Sequence, residues 1–288
     1  YNPGPYQYKK TPVANIMTSR GCPSLCTFCD RTVFGRKTRF RSAENVVDEI
    51  EMLINEFGVK EIIFMDDTFT LKKQRIYDIF KICKERGLKF PWSCMSRIDA
   101  VEEDLLKFMK DNGCWYISFG IESGDEKILK TIKKHLDKVK AKRIAKYCRK
   151  IGMYTRGFFI VGHPGETLES IDRSIAYACE LDIDDITVGI NTPMPGSEQY
   201  KEIEKIGTLD SSSWSQFNCF TPIFVPSGLT QEQILTKHKE FYNKFYFRPK
   251  MMIRQVWMKY LDIRNIKQSV QTIWAMAKYT LFSRKKGS

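Results

Sequence analysis

The chain has 288 residues, 42% of them hydrophobic, and a formal net charge of +13. A chain of this length and apolar content can bury a sizeable core, which excludes a disordered protein and favours one large domain or one domain with an appendage. The nine cysteines lack the density of a secreted disulfide scaffold, so we expect a reducing, cytoplasmic environment. No apolar run approaches the ~20 residues that a membrane-spanning helix needs, and no signal-peptide pattern opens the sequence.

From residue 13 to about residue 191, short β-type runs alternate with amphipathic helical runs. This alternation is typical of βα units around a parallel sheet. There are six such units, and right-handed crossovers between them predict a partial (βα)6 TIM-type barrel of the α/β class. Glycines at the ends of several helical runs resemble left-handed C-caps. The predicted strands are 13–19, 61–65, 90–96, 115–120, 153–161 and 185–190, and the glycines are Gly58, Gly87, Gly113 and Gly152.

The predicted helices differ in how clearly the sequence marks them. The first carries Val46, Val47, Ile50 and Phe57 on one face, as expected of a helix packed on a sheet. The fourth is a Lys-rich helical region that extends to Lys150. A closed barrel needs about two more units, but the pattern of residues 191–227 predicts turns instead.

After residue 226 the pattern becomes helical. Helices are predicted at 230–247, 251–261 and 266–282, with a break at Arg248-Pro249. We therefore predict three parts of the chain, a lead-in (1–12), the barrel (13–227) and a basic helical C-terminal extension (228–288).

The C-terminal extension holds most of the positive charge, since residues 248–288 contain ten basic residues and one acid. Its last predicted helix places Val270, Ile273 and Trp274 at helical spacing beside basic residues. This is the pattern of a helix on an anionic membrane surface. The alternative is a helix that packs on the barrel or on another domain, with its charges in solvent.

Three cysteines follow the first predicted strand within eight residues. They are Cys22, Cys26 and Cys29, in the run GCPSLCTFCD. A tetrahedral zinc site wants four protein ligands, and its cysteine pairs come with a second pair at a distance. A cubic iron–sulfur cluster held by three thiolates leaves one iron without a protein ligand, so a small molecule can bind there. We predict such a cluster, with a zinc or electron-transfer site as the alternative.

Polar residues also follow the second to fifth predicted strands. Ligand-binding residues of parallel barrels gather where strands end, so these positions are expected to form one site. Structural alternatives remain, because aspartates cap turns, an arginine pairs with a nearby aspartate, and a loop histidine is often simply hydrogen-bonded. The residues are Asp66 and Asp67, Arg97 and Asp99, Glu122 and Ser123, and the run Gly162-His163-Pro164-Gly165-Glu166.

The spacing Cys-x3-Cys-x-Phe-Cys after a strand resembles that of the radical S-adenosylmethionine (SAM) superfamily. The resemblance implies a [4Fe-4S] cluster bound by Cys22, Cys26 and Cys29, with the methionine end of SAM chelated at the open iron. It further implies that an electron from the cluster cleaves SAM to a 5′-deoxyadenosyl radical, which abstracts hydrogen. Phe28 matches an aromatic position against the adenine, and ordinary core packing is the alternative.

The same resemblance implies further contacts to SAM. The position after strand two accepts hydrogen bonds from the SAM ammonium, and here the usual Gly-Gly-Glu is replaced by Met-Asp-Asp. A carboxylate after strand four binds the ribose, and segments after strands five and six lie beside the adenosine. An arginine after strand three is a candidate for the SAM carboxylate. The implied residues are Asp66 or Asp67, Glu122 and Ser123, Ile160, Gly162 and Gly165, Pro193, and Arg97.

The motifs SRGCP, FMDDTF, GIESG, GHPGET and TPMPGS are similar to those of the cobalamin-dependent radical SAM group, over roughly residues 8–250. That group implies C-methylation, ring formation or oxidation of an organic substrate, assisted by cobalamin. The chain starts at Tyr1 without the N-terminal cobalamin-binding domain usual in the group, and none of His135, His163 and His238 lies in an Asp-x-His-x-x-Gly signature. The alternatives are a methylthiotransferase-type enzyme that acts on RNA or protein, and a non-enzymatic iron–sulfur or zinc-binding module.

The resemblance also implies partners. We expect an external electron donor such as flavodoxin or ferredoxin, and a small-molecule or lipid-like substrate. We do not expect nucleic acid as a partner, since no RNA-binding module or aromatic single-strand platform is evident. The expected location is the cytoplasm, with attachment to the inner membrane face through the C-terminal helices as a further hypothesis.

Overall fold

The computed structural model describes residues 8–260, within which helices and strands alternate along the chain. The strands are β1 (Val13–Ile16), β2 (Ser19–Arg20), β3 (Arg39–Phe40), β4 (Glu61–Phe64), β5 (Trp92–Ser96), β6 (Cys114–Glu122), β7 (Tyr154–Val161), β8 (Asp185–Ile190), β9 (Gly207–Leu209) and β10 (Phe224–Pro226). The helices are α1 (Ala43–Asn55), α2 (Lys73–Glu85), α3 (Glu103–Asp111), α4 (Glu126–Thr131), α5 (Lys138–Lys150), α6 (Leu168–Glu180), α7 (Glu198–Lys201), α8 (Ile203–Ile206), α9 (Gln231–Tyr246) and α10 (Pro249–Tyr260).

A six-stranded parallel sheet forms the centre of the protein. Its strand order is β1-β4-β5-β6-β7-β8, so each strand pairs with the next one of the sheet along the chain. The paired residues, such as Val13 with Glu61 and Arg156 with Asp185, are in parallel register. The predicted α/β fold with a partial (βα)6 barrel is therefore confirmed. The carboxyl ends of all six strands lie at one face of this sheet, which we call the mouth.

The helices that follow the strands bury one apolar face each. In α1, Val46, Val47 and Ile50 are fully buried, as predicted. The prediction for Phe57 was wrong, because the helix ends at Asn55 and the Phe57 side chain is 63% exposed. The chain reverses just after this helix at Gly58, whose φ of +65° suits a residue without a Cβ.

The Lys-rich region after β6 forms two helices rather than one. Asp125 caps α4 by accepting from the Ile128 amide, and Asp137 caps α5 by accepting from the amides of Val139 and Lys140. These two aspartates define helix starts because their side chains satisfy amides that have no partner within the helix. The short connection between the helices carries Lys134, which enters the site described below.

The edge of the sheet at β8 is covered by α9 from the C-terminal extension. The amide of Val188 donates to the Tyr242 hydroxyl (2.9 Å), and the amide of Ile186 donates to the Tyr246 hydroxyl (3.3 Å). The ring Nε2 of His238 lies 2.9 Å from the Val188 carbonyl oxygen. These side chains satisfy backbone groups that an edge strand otherwise exposes, so α9 closes one side of the open barrel.

The described part of the C-terminal extension packs on the barrel. The break at Arg248-Pro249 is confirmed, and the basic residues next to it pair with acids near the start of β8. Arg248 donates to the Cys179 carbonyl, Lys250 pairs with Asp182 (3.2 Å), and Arg254 pairs with Asp184. The predicted helix 266–282 lies outside the described residues. No helix within residues 8–260 is long and apolar enough to cross a membrane.

Residues 191–227 contain more regular structure than the predicted turns. Two short helices, α7 and α8, are followed by an antiparallel hairpin of β9 and β10. The amide of Ile190, at the end of β8, donates to the Cys219 carbonyl (2.7 Å), so the hairpin loop lies at the mouth. The predicted part boundaries at residues 12 and 227 stay predictions.

Candidate active site

The three cysteines lie in a loop that is closed by a short ladder of β2 and β3. Ser19 pairs with Phe40 and Arg20 with Arg39, so the two ends of the loop of residues 21–38 lie side by side. Gly21 has a φ of +93°, and a Cβ on it would lie 2.8 Å from the Lys37 carbonyl oxygen. A side chain at this position would push the two limbs of the loop apart, which explains the glycine before Cys22.

This cysteine loop is held at the mouth by contacts from several strand ends. The Thr27 amide donates to the Ile132 carbonyl (3.0 Å), and the Gln199 amide donates to the Thr27 carbonyl (3.1 Å). The ring of Phe28 packs on that of His163, after β7, with 5.6 Å between the ring centroids. Residues after β6, β7 and β8 thus contact the loop after β1, as expected for one site at the mouth.

The thiols differ in exposure and share a positive environment. Cys26 is buried, Cys22 is half-buried and Cys29 is exposed. A hydrogen bond with Cys29, together with the positive charges of Lys134 and Arg97, lowers the pKa of Cys26 to about 6 although burial opposes this shift. Arg97 Nη1 lies 3.8 Å from the Cys26 sulfur. The same hydrogen bond raises the pKa of Cys29. The surroundings therefore favour the thiolate, the form of cysteine that binds metal, at Cys26.

This donor set fits an iron–sulfur cluster better than a single ion. Within residues 8–260, no three His, Cys, Asp or Glu side chains are placed to hold a metal ion between them. Three thiolates that each bind a different iron of a cubic cluster need no such common point. Cys22, Cys26 and Cys29 would be the cluster ligands, with one iron left without a protein ligand.

Beside Cys26 lies a buried ion pair that the sequence did not indicate. Lys134 Nζ is 3.1 Å from Glu122 Oε1, and the side chains are 6% and 9% exposed. A Cβ on Gly120 would lie 2.4 Å from Glu122 Oε1 and 2.8 Å from Lys134 Nζ, so the glycine makes room for the pair. Glu122 itself has a φ of +67°. A strained, buried charge pair at a strand end is typical of a functional site.

Among the other residues implied as SAM contacts, Asp66 already accepts hydrogen bonds from the protein through both carboxylate oxygens. One of its carboxylate oxygens accepts from the Thr18 amide (2.6 Å), and the other accepts from the hydroxyls of Thr18 (2.5 Å) and Ser19 (2.7 Å). Arg75 completes this network at 3.3 Å. These bonds tie β4 to the segment before the cysteine loop, which leaves the exposed Asp67 as the candidate for the SAM ammonium.

Arg97 forms the predicted pair with Asp99, and its contact to the SAM carboxylate stays a prediction. Its guanidinium donates to both carboxylate oxygens of Asp99, at 2.9 and 2.7 Å, and also faces Cys26. The residue is thus a structural partner of Asp99 that also presents positive charge to the thiols. A cavity of about 510 Å³ next to it is lined by residues that include Leu25, Lys133 and His135. Its volume suits a small organic molecule.

A larger cavity, of about 940 Å³, lies at the opposite end of the sheet. It is lined by Lys9, Phe90 and Trp115, among others, near the starts of β1, β5 and β6. The cysteine loop contributes nothing to it. We assign the active site by the chemistry of the side chains and not by cavity size, because ligands of parallel barrels bind where strands end.

The segment after β7 contains buried polar groups without partners. Glu166 Oε2 accepts from the amides of Gly162 (2.6 Å) and His163 (3.0 Å). Among the described residues, neither ring nitrogen of His163 nor Oε1 of Glu166 has a hydrogen-bond partner. Burial raises the pKa of Glu166 to about 8 and lowers that of His163 to about 3. His163 is therefore neutral, and it is not the hydrogen-bonded loop histidine of the structural alternative.

The remaining predicted residues fall at the mouth with different surroundings. Ser123 is buried and its hydroxyl lies 2.9 Å from that of Ser174 in α6, so it fixes the turn after β6. Gly162 has a φ of +86° and Gly165 a φ of +76°, conformations that favour glycine. The half-buried Ile160 is in β7, and the buried Pro193 follows β8.

Comparison with known proteins identifies the family of this chain. The family model of the radical SAM superfamily matches residues 16–178. An uncharacterized methyltransferase of Pyrococcus horikoshii is 37% identical over 87% of this chain and 55% of its own length. The cytidylyl-2-hydroxyethylphosphonate methyltransferase of Streptomyces wedmorensis is 36% identical over 69% of this chain and 39% of its own length. This chain thus spans about half, or less, of these relatives.

Solved structures show the same fold. The cobalamin-dependent S-adenosylmethionine radical enzyme OxsB, with aqua-cobalamin bound, has a TM-score of 0.64 and 18% identity, over 92% of this chain and 49% of that one. The family match covers more than half of the chain and includes the cysteine loop. The chain belongs to the radical SAM superfamily.

Proposed function

We propose that this chain is the SAM-cleaving barrel of an enzyme that methylates or rearranges carbon centres of an organic substrate. Enzymes of this family bind a [4Fe-4S] cluster and SAM, act on small molecules, and take electrons from external reductants. The cluster would supply one electron to the SAM sulfonium, which breaks into methionine and a 5′-deoxyadenosyl radical. The observation that carries the proposal is the trio of thiols at the mouth, beside Arg97 and Lys134.

The chain's own residues would bind and orient the two cofactors. Cys22, Cys26 and Cys29 would hold the cluster, and the exposed Asp67 would accept from the SAM ammonium. Glu122 accepts from Lys134 through Oε1, and its other oxygen, which has no hydrogen bond to a described residue, would accept from a ribose hydroxyl. The positive charges next to Cys26 would stabilise thiolates and favour the more negative, reduced state of the site.

Further SAM contacts would come from the residues that line the same face. Arg97 would contact the SAM carboxylate through Nη1, the guanidinium nitrogen that faces Cys26, since Nε and Nη2 donate to Asp99. The segments after β7 and β8 would cover the adenosine, through Ile160, Gly162, Gly165 and Pro193, and Phe28 would pack against the base. Ser123 and Asp66 would hold the loops of the site in position through the hydrogen bonds described above.

Cobalamin assistance and methyl transfer are supported by the relatives, not by a cobalamin-binding residue of this chain. Two similar proteins are methyltransferases by name, and OxsB has this fold together with bound cobalamin. Ring formation and oxidation remain within the proposal, since the reaction type depends on the substrate. The basic residues of α10 that the structure describes bind the barrel. This supports packing, and not membrane contact, for residues 248–254.

Anaerobic reconstitution with iron and sulfide, followed by dithionite and SAM, tests the proposal. We expect about four irons and four sulfides per chain and formation of 5′-deoxyadenosine. Cys26→Ala should lose the cluster and the product together, because a buried ligand is missing. The matched control is Cys179→Ala, since Cys179 lies in α6, outside the cysteine loop, and its thiol donates to the Lys244 carbonyl at 3.6 Å.

Two results would contradict the proposal. A wild-type protein with a full four-iron cluster that forms no 5′-deoxyadenosine would reject the enzymatic reading and favour an iron–sulfur interaction module. Full activity in Cys26→Ala would reject the ligand assignment. The methylthiotransferase alternative has a separate test, because such enzymes carry a second cysteine trio, and the full-length protein would then bind about eight irons.

A further inference from the structure

The cysteine loop carries a positively charged outer surface. Between residues 20 and 41 the sequence has six basic residues and one acid, Asp30. Four of the basic side chains are exposed, and we call them the basic loop surface: Arg20, Arg36, Lys37 and Arg39.

These four cations have no carboxylate partner within residues 8–260. The Arg39 guanidinium donates to the Phe34 carbonyl (3.3 Å), and Arg20 lies 5.9 Å from the Phe34 ring centroid. Arg36 and Lys37 make no side-chain hydrogen bond or ion pair to described residues. The one acid of the loop, Asp30, forms an ion pair with none of them among the described residues, and its Oδ1 accepts from the amide (2.8 Å) and hydroxyl (2.6 Å) of Thr32.

Several arginines elsewhere on the barrel surface have acidic partners. Arg86 pairs with both Asp48 (2.8 Å) and Glu51 (2.7 Å), and Arg143 pairs with Glu102 and Glu103. Even Arg41, at the end of the cysteine loop, pairs with Glu49. Exposed lysines such as Lys84 and Lys89 also lack an acidic partner among the described residues, so the loop is marked by having four such cations and a single acid within residues 20–39. A patch of one charge sign keeps an electric field that a mixed surface cancels.

The basic loop surface lies directly against the residues that hold the cluster ligands. The Thr38 hydroxyl donates to the Gly21 carbonyl (3.1 Å), and the Lys37 backbone packs on Gly21, next to Cys22. On the same loop Cys29 is exposed, and the Val33 side chain is 71% exposed. An exposed apolar residue on the same loop as unpaired charges fits the composition of a protein-docking patch.

We propose that the basic loop surface is the docking site for an acidic one-electron donor protein of the flavodoxin or ferredoxin kind. This inference rests on the proposed function, which requires one electron for each SAM cleaved. The donor gives up one electron and is oxidised by one electron, and the site of Cys22, Cys26 and Cys29 receives it. Cys29, one of the three cluster ligands, is exposed on the same loop, so a donor docked here would lie beside the loop that holds the cluster.

Electrostatic attraction supplies most of the recognition. Complementary charge raises association rates by about 10-fold to 1,000-fold, and the gain fades as salt screens charges beyond ~10 Å. Charges at the rim of an interface act mainly on association rate and salt dependence. The interaction should therefore weaken steeply between about 20 and 300 mM salt.

The test uses the reconstituted holoenzyme and the double variant Arg36→Glu/Lys37→Glu. Neither side chain supports the loop through a contact in the structure, so the cluster should load fully. The initial rate of 5′-deoxyadenosine formation is measured against the concentration of reduced bacterial flavodoxin, and separately with dithionite. We expect the flavodoxin KM to rise about 10-fold or more and its salt dependence to flatten, with an unchanged dithionite rate.

The control double variant is Lys84→Glu/Lys89→Glu, which reverses two exposed lysines at the opposite end of the sheet. It makes the same change in net charge and should leave the flavodoxin KM within about twofold of wild type. Equal flavodoxin kinetics for the two double variants would overturn the docking site while the proposed function stands. Loss of the dithionite reaction in the wild type would instead remove the proposed function, so the two failures are distinguishable.

Discussion

The mouth of the barrel and its β8 edge both bury polar side chains, but they do so in different ways. At the edge, the hydroxyls of Tyr242 and Tyr246 bond to backbone groups of β8, and the buried Asp184 is paired with Arg254. At the mouth, Lys134 and Glu122 form a buried ion pair, and His163 has no hydrogen-bond partner among the described residues. The edge is built for stability, whereas the mouth keeps groups that a bound molecule would satisfy.

Two neighbouring lysines at the mouth differ in burial. Lys133 and Lys134 are sequence neighbours, yet Lys133 pairs with Glu198 at the surface (side chain 48% exposed) and Lys134 is buried against Glu122. Burial makes the second pair far more sensitive to loss of one partner, because the remaining charge stays out of water. This difference gives the largest effect that we predict in the two regions.

We expect Lys134→Ala to lower the free energy of unfolding by about 3–5 kcal/mol and to abolish SAM cleavage. The substitution leaves Glu122 as an unpaired buried carboxylate and removes a positive charge from the surroundings of Cys26. Chemical denaturation of the reconstituted protein measures the first effect, and 5′-deoxyadenosine formation the second.

Lys133→Ala is the matched control for this prediction. It removes a cation from an exposed pair, so the loss should stay below about 1 kcal/mol, with activity retained. Equal losses for the two variants would show that the pair of Lys134 and Glu122 is an ordinary structural salt bridge.

The second largest effect is a pH dependence of stability that the buried Glu166 causes. Burial raises the pKa of Glu166 in the folded protein to about 8, from an ordinary value of 4.5. Because the pKa of Glu166 is higher in the folded than in the unfolded protein, its protonated carboxyl stabilises the fold fully below pH 4.5. As pH rises towards 8 this stabilisation is lost, and the free energy of unfolding falls by up to ~1.4 kcal/mol per pH unit. Glu166→Gln should therefore gain stability relative to wild type from pH 5 to pH 8, as measured by denaturation at each pH.

The control for the pH effect is Glu169→Gln, which changes an exposed glutamate three residues further along the chain. Its stability should follow the wild-type pH dependence across this window. If Glu166→Gln also ran parallel to wild type from pH 5 to pH 8, the carboxyl of Glu166 would be ionised throughout, and the account of the buried segment after β7 would be wrong.

The smallest effect belongs to the edge. Tyr242→Phe removes the hydroxyl that accepts from the Val188 amide at 2.9 Å, and we expect a loss of about 1 kcal/mol with unchanged SAM cleavage. Tyr147→Phe is the control, since the Tyr147 hydroxyl has no hydrogen bond to a described residue. A marked loss of SAM cleavage in Tyr242→Phe would show that the edge and the mouth are not separate in function.

Much of the fold could be predicted from the sequence because local patterns define it. The six strands were visible as β-type runs, and glycines such as Gly58 and Gly87 marked helix ends through their positive φ. Phe57 was misplaced because helical spacing does not say where a helix ends. The edge contacts of Tyr242 and Tyr246 were not predictable, because they join residues more than 50 positions apart.

The part of the site that local sequence patterns define could also be predicted. The cysteine spacing is local, so its residues were identified directly. Lys134 was not, because it is one of many lysines in a helical stretch and its burial depends on Gly120 and Glu122 in β6. The sequence does not distinguish Asp66 from Asp67. Asp66 differs because it bonds to Thr18 and Arg75, which are distant in the sequence or on another element.

The central claim is that three thiols leave one position of the cluster open for SAM. Electron paramagnetic resonance of the dithionite-reduced holoenzyme, with and without ¹⁵N-labelled SAM, tests this claim most directly. We predict a changed cluster spectrum on addition of SAM and a resolved hyperfine coupling to the ¹⁵N of its amino group. An identical spectrum with saturating SAM, from protein that holds a full four-iron cluster, would contradict the account.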